Sequence, residues 1–578
     1  MKPKIHIMIG LLIIAALLFS ACSPATQAPP SPTEQQPAAQ TQAPAEPTQA
    51  PAEPTATAPP PTEPATEAPA TTLTVLIDNE EGPITPANFN TFIGYWMSGW
   101  VYDGLYVRTP DLEAIPALAT SAESSQDGLN WTVQLREDVN WHDGTPFTSK
   151  DVVFSYRFLI EAGRANNLSA IDSIEADGDY AVKITLKQPD PFFISEGLTA
   201  TYIMPEHIWR DQVPVSGELS QFQGKIGTGP FLLDSVQPGE YYTFKANPDY
   251  YRGKPLVEQI TAKIVKDRTQ QINQLKAGEA DAVLSSVPPS FVADLESNAD
   301  IALSQGSDFF NYIFYANGSR QPFDRQDVRQ AIALSIDTQT LADVIMLGQG
   351  VELPLSWYHP DLPWAINIPG EYNPEKAAQL LEDAGLVDSD EDGIREFNGT
   401  NTDFAVLCDV NNAVEIRGTE LIIGWLEEVG IGAHQNCLDI DTEVTFIWPN
   451  FVSVPDPNYD MAIWGWSSGP QFQRRFIQYL TGCDFGGLAW ANLSGLCDPE
   501  MDDLTTELAS NPDPGRQEEL NRLIQERLAD FLFFVPLMSP GGNFAYRPAA
   551  YDGWVYMSGT GIMTSWSFLP QEASSASQ

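Results

Sequence analysis

The stretch "LREDVNWHDGTPFTSKDVVFSYR" (Leu135–Arg157) decides the fold. His142, Asp143, Thr145, Thr148 and Ser149 crowd together in it, as they would in a catalytic or metal site. Their spacing says otherwise. Asp143-Gly144 is a turn signal, because glycine accepts positive φ without a steric cost. Thr148 stands just before a helical run, and Asp151, three residues on, completes a near capping box, Thr-x-x-Asp in place of Thr-x-x-Glu. Val152, Val153, Tyr156 and Leu159 then recur at helical spacing. The stretch predicts a strand, an Asp-Gly turn, an N-cap and a helix, which is architecture rather than chemistry.

The same reading extends in both directions. "TLTVLID" (Thr72–Asp78), "LNWTVQLRED" and "YAVKITLKQ" alternate as strands, and "TFIGYWMSGWVYDGLYV" predicts a helix near a cleft. "TQQINQLKAGEADAV" predicts a helix ending near Gly278 and running into a strand. From about Asp308 a second series begins. "FNYIFYAN" and "DMAIWGW" read as strands, and "DRQDVRQAIALSID" and "TELIIGWLEEVG" as helices. In "NPEKAAQLLEDAGL", Pro374 sits in the first helical turn and Gly385 ends the helix. "RQEELNRLIQERLADFLFFVP" predicts a long helix that stops before Pro536. Strands and helices alternate in two regions, so two α/β lobes are expected rather than one sheet. A chain of 578 residues is also too long for a single core.

The amino terminus, "MKPKIHIMIGLLIIAALLFSAC", has a basic start, an apolar run and small residues before Cys22. This is a secretory signal over residues 1–21. Its ending, "LFSAC", resembles a bacterial lipobox, with Phe19 where leucine is usual, and it marks Cys22 for lipidation. Residues 22–72 are rich in Pro, Ala, Thr, Gln and Glu and cannot bury a core, so a disordered tether is expected. Its reach lies between about 40 Å as a coil and about 150 Å as polyproline helix. The formal charge of −47 makes nucleic acid and anionic membrane surfaces poor partners for the folded part. Four cysteines remain: Cys408, Cys437, Cys483 and Cys497. Of three possible pairings, 408–437 and 483–497 are favoured. The first would join neighbouring strands and the second would close a short loop, with free buried thiols as the alternative. No CxxC spacing supports a metal.

The opening stretch resembles the hallmark segment of the family 5 extracellular solute-binding proteins, the dipeptide, oligopeptide and nickel binders of ABC importers. Other segments resemble the family in the same order. "VYDGLYV" and "IPALATS" precede it, and "YIMPEHIW" (Tyr202–Trp209), "IGTGPFLL" (Ile226–Leu233) and "NPDYYRGKPLVEQI" (Asn247–Ile260) follow. "LKAGEADAV", "PFDRQDVRQAIALSID", "YNPEKAAQLLEDAGLVDSDEDGIRE" and "YDMAIWGWSS" come after them. The resemblance covers roughly Leu73 to Leu569. It implies an α/β, two-lobed, periplasmic-binding-protein-like flytrap with an additional subdomain in the N-terminal lobe. Lobe I would span 73–305, with the subdomain at about 111–224. Lobe II would span 306–543, the chain would return to lobe I over 544–570, and 571–578 would be a disordered tail. The implied function is capture of a peptide-like solute and its delivery to an ABC permease by a monomer tethered at the outer face of the cell membrane. An oligosaccharide or other organic solute is the alternative. No cofactor, resident metal or catalysis is implied.

Three motifs compete with this. "GWSSG" (Gly465–Gly469) fits the G-x-S-x-G elbow of serine hydrolases, but that fold needs a histidine after the serine, and no histidine follows Ser467. "DSDEDG" (Asp388–Gly393) resembles the start of a calcium loop, yet its twelfth position is Gly399 rather than the required glutamate. His142, His207, His359 and His434 are scattered, which disfavours nickel. In many peptide-binding relatives an aspartate lies three residues after the Trp of Gly-Trp and pairs with the peptide ammonium. Here that position is Gly469. Aromatic groups are the remaining candidates for ligand contact: Tyr95, Trp96, Phe310, Tyr312, Trp357, Trp464 and Trp466.

Overall fold

The structure is a computed structural model. It describes residues 71–87, 92–162, 168, 170–213 and 224–570. The signal segment, Cys22, nearly all of the linker and the 571–578 tail lie outside the described residues.

One strand organises the rest. Val535–Tyr546 begins in one lobe and ends in the other. Its first half pairs antiparallel with Asn311–Ala316 and Gly350–Glu352. Its second half pairs antiparallel with Ala302–Ser307 and meets Ala282–Val283. A 12-stranded sheet thus runs without a break through both lobes. The change of lobe falls at Pro540-Gly541-Gly542, where a Cβ on Gly541 would overlap the Gln349 carbonyl and one on Gly542 the Tyr556 hydroxyl. Only glycine lets the neighbouring chain approach so closely. A second crossing is made between Ala302–Ser307 and Asn311–Ala316, through Asp308, Phe309 and Phe310.

In the N-terminal lobe, Thr72–Ile77 lies parallel to Gln259–Ile264, and Tyr241–Ala246 and Phe231–Gln237 continue the sheet antiparallel. In the C-terminal lobe, Phe404–Asp409 lies parallel to both Ala433–Leu438 and Met461–Trp466. Both faces of this second sheet are covered. Met461 and Ile463 point into one core, Ala462 and Trp464 into the other. That is why "MAIW" is apolar at every position, as parallel strands buried on two sides require. A separate antiparallel sheet runs in the order Ala119–Ser124, Asn130–Leu135, Ala181–Leu186, Ile171–Ala176. Helix Ser149–Glu161 packs on it around Val133, Phe147, Val152 and Tyr156.

The opening stretch takes its place in this subdomain. Gly144 has φ +85°, and the Asp143 carboxylate accepts from the Thr145 N–H at 3.0 Å. His142 Nδ1 accepts from the Gly227 N–H at 3.1 Å, so Nε2 carries the proton and donates to the Gly229 carbonyl at 2.9 Å. The imidazole ties two chain segments together. Asp151 accepts from the Thr148 N–H and the Glu206 N–H, both at 2.9 Å, capping its own helix and anchoring the start of the next.

One helix ends earlier than its sequence predicts. The run through "FLFFVP" stops at Phe531, Leu532 turns left-handed with φ +56°, and Val535 opens the crossing strand. Arg329 explains the stop. Its guanidinium donates to the Phe531 and Leu532 carbonyls, taking the place of the next helical turn. Cys408 and Cys437 are joined as register partners on parallel strands, and Cys483 and Cys497 are joined across a separation of 14. Among the described residues, no helix is long and apolar enough to cross a membrane.

Replacing Asp151 by Ala leaves two half-buried N–H groups without their carboxylate acceptor. The variant is expected to lose about 2 kcal/mol of stability in urea unfolding. A loss below about 0.5 kcal/mol would show that the cap is replaced by water.

Candidate functional site

A cavity of about 500 Å³ lies between the lobes. The N-terminal lobe contributes the inner face of helix Phe92–Val101 (Tyr95, Trp96, Gly99) and the chain that follows it to Arg108. The subdomain contributes Glu196, Thr199, Ala200 and Tyr202. The C-terminal lobe contributes Gly469, Pro470, Phe472, Gln473, Tyr479 and Trp490, and the returning chain adds Met557 and Thr564–Trp566.

Aromatic rings build the wall. Tyr95 packs on Tyr202 at 5.3 Å and edge-on to Trp96 at 5.1 Å between centroids. Gly99 makes room for this, since a Cβ there would lie 2.6 Å from the Tyr202 hydroxyl. Burial raises the pKa of Tyr95 and of Tyr202, so both stay neutral hydroxyls. Trp490 stacks on Trp448 at 5.6 Å and is carried by the loop that the Cys483–Cys497 bond closes.

Three charged groups lie on the wall. Asp103 accepts from the Tyr250 hydroxyl at 2.9 Å and the Thr228 hydroxyl at 3.0 Å. Arg108 donates to the Ser195 carbonyl at 2.9 Å and lies 5.0 Å from the Phe472 ring centre, so it touches the opposite lobe. Glu196 binds Arg475 of the opposite lobe. Burial raises Glu196 and Asp103 above the usual carboxylate range and lowers Arg108.

Of the aromatic residues singled out in the sequence, Tyr95 and Trp96 line this cavity. Trp464 and Trp466 stand one layer behind, with Trp466 packed on Trp448 at 5.6 Å and Trp448 in turn on Trp490. Phe310 and Tyr312 pack together at 4.9 Å on the other face of the sheet, Phe310 covering Gly465. Trp357 is fully buried in the C-terminal core. Gly469, the position of the missing acid, does line the cavity. Sequence reasoning passed over Arg108, Glu196, Tyr202, Phe472, Tyr479 and Trp490. Tyr202 opens a family segment that says nothing of ligand contact, and the other five carry no local motif, because contact between distant segments brings them together. The carboxylates of Asp388, Asp390 and Asp392 lie within 4.8 Å of one another in a mostly exposed loop and accept from that loop's own N–H groups.

The family model for "Bacterial extracellular solute-binding proteins, family 5 Middle" matches residues 113–487, more than half of the sequence. The chain belongs to this family. Among its curated relatives, the oligopeptide-binding protein AppA of Bacillus subtilis is 30% identical over 368 residues, spanning 61% of this chain and 65% of AppA. The dipeptide-binding protein of Pseudomonas aeruginosa is 24% identical over 504 residues, 80% of this chain and 89% of the relative. The solved structure of Bacillus subtilis AppA with a nonapeptide superposes with a TM-score of 0.71, covering 86% of this chain and 99% of that one at 24% identity. NikZ from Campylobacter jejuni, solved with Ni(L-His), gives 0.73 at 20% identity, covering 87% of this chain and all of that one. This family 5 solute-binding protein therefore has the two-lobed architecture of its relatives.

A second charged cluster sits at the carboxyl end of strand Phe404–Asp409. Glu415 accepts from the Asp409 N–H at 2.8 Å and from Asn412 at 2.9 Å. Neither oxygen of fully buried Glu443 has a hydrogen-bond partner. Burial, then repulsion from Glu415 and Asp409, pushes Glu443 up to about 8, and burial pushes Glu415 to about 7. A carboxyl whose folded pKa exceeds its unfolded value holds more protons when folded, so stability falls as pH rises between the two. The native protein is expected to lose stability from about pH 5 to about pH 8, and Glu443→Gln to flatten that decline. Urea unfolding at both ends of that range reads it, and an unchanged decline would remove Glu443 as its cause.

Proposed function

We propose that this protein captures a short peptide in the cavity between its lobes and delivers it to an ABC permease. Lipid on Cys22 and the linker would hold it at the outer face of the cell membrane. The observation that carries the reading is a cavity walled by both lobes, lined by aromatic rings from each, with one guanidinium, Arg108, reaching across it. Two of the relatives are named for binding oligopeptides and dipeptides. Ligand held by both walls would stabilise the lobes together, and that difference in affinity is what a transport cycle uses.

Arg108 is the group suited to a ligand carboxylate, because a guanidinium presents five donors in a fixed fork and stays charged when buried. The acids on the wall are already engaged, Asp103 by two hydroxyls and Glu196 by Arg475. With Gly469 in place of an acid, the recognised end of the peptide is its carboxyl end. Binding is the whole of the function. Ser467 of the Gly-Trp-Ser-Ser-Gly run has no histidine after it in the sequence.

Mass spectrometry of solute released from the purified protein is expected to find peptides; a sugar would overturn the peptide reading. Arg108→Met is expected to weaken peptide binding about 10- to 100-fold, the value of a buried charge-assisted hydrogen bond, with circular dichroism unchanged. Equal weakening of a C-terminally amidated peptide by the same change would remove the carboxylate role.

A further inference from the structure

We propose that a buried charge triad, Arg475 with Asp190 and Glu196, is a partition that limits the length of ligand this protein accepts. The proposal rests on the peptide-binding reading above. Beyond the cavity of about 500 Å³ lies a second one of about 950 Å³, also between the lobes. Its wall includes Trp131, Pro191, Phe192, Trp364, Arg474 and Pro514. The triad stands between the two. Glu196 lines the inner chamber and Asp190 the outer one. Gln473 lines the inner chamber and Arg474, its neighbour, the outer one. Arg475 donates to Glu196 at 2.8 Å and also pairs with Asp190.

The partition joins the lobes. Asp190 and Glu196 precede and follow Phe192 and Phe193. Phe193 is buried in the subdomain core, whereas Phe192 is buried in the aromatic core of the C-terminal lobe. The Arg474 guanidinium lies 4.5 Å from the Phe192 ring centre, and the Arg474 N–H donates to Glu196 at 2.9 Å. All three side chains of the triad are almost wholly shielded, at 7%, 1% and 3% exposure. A buried ion pair is no more stabilising than apolar packing of the same volume, so stability alone does not call for charges here. The two carboxylates outnumber the one guanidinium, so the partition carries net negative charge and repels the carboxylate end of a ligand pressed against it.

Trp131, Trp364 and Asp190 all line the outer chamber. A chamber near 500 Å³ suits a ligand of drug size, within the usual range of roughly 300–1,000 Å³. An extended nine-residue peptide spans roughly 30 Å and needs more than one such chamber.

The test uses the full chain freed of bound solute and oligoalanines of two, three, five and nine residues, with affinity read by calorimetry. The native protein is expected to bind the two shortest at least about tenfold more tightly than the two longest. The triple variant Asp190→Ala/Glu196→Ala/Arg475→Ala removes all three charged side chains of the wall. It is expected to bring the nine-residue peptide within about threefold of the shortest. Equal binding of all lengths by the native protein would overturn the partition and leave the peptide reading intact. So would an unchanged length preference in the triple variant. Failure to bind any length would overturn the peptide reading, and the partition with it. Should the triple variant not fold, Arg475→Lys decides. It keeps the charge but loses the two-pronged grip, and an unaltered length preference there overturns the partition.

Discussion

Val535–Tyr546 belongs to both lobes at once, and that covalent sharing constrains everything else in the molecule. A strand that pairs with Asn311–Ala316 at one end and Ala302–Ser307 at the other makes two cores adjoin along a shared edge. The gap between those cores is then a cleft by construction. Its walls come from segments far apart in sequence, such as Arg108 and Phe472, which meet 5.0 Å apart. The close approaches at Gly541 and Gly542 mark where the strand leaves one core for the other.

The cleft is not uniformly apolar. Its charged groups are shielded and held by hydrogen bonds or ion pairs, which is the condition under which electrostatics discriminates between ligands. Arg475 joins the subdomain to the C-terminal lobe through two carboxylates, and Phe192 reinforces the joint by crossing into the other core. Packing and charge therefore act at the same place. The aromatic layer behind the wall, from Trp490 through Trp448 to Trp466, gives that side rigidity.

Much of the fold was legible in the sequence. Thr148 and Asp151 announced a helix start, and Pro374 and Gly385 bracketed another helix. Both readings rest on local backbone chemistry, which needs no distant partner. The stop at Phe531 was not legible, because it depends on Arg329, some two hundred residues away. The site was read only in part. Tyr95 and Trp96 share the inner face of one helix, and they line the cavity. Trp464 and Trp466 share one face of a strand, as alternation implies, but alternation does not say whether that face meets ligand or another layer of rings.

By itself, the sequence determined the order of strands and helices, the turn and cap around His142, and the class of architecture. These follow from periodicity, from φ preferences and from side chains bonding to nearby backbone. Only the tertiary structure decided which charges share the cleft, which tryptophans form its wall, and that Arg475 stands between two chambers. Those are contacts across hundreds of residues. Their energies come from burial and from Coulomb interaction at short range, and neither quantity exists until the lobes are folded and side by side.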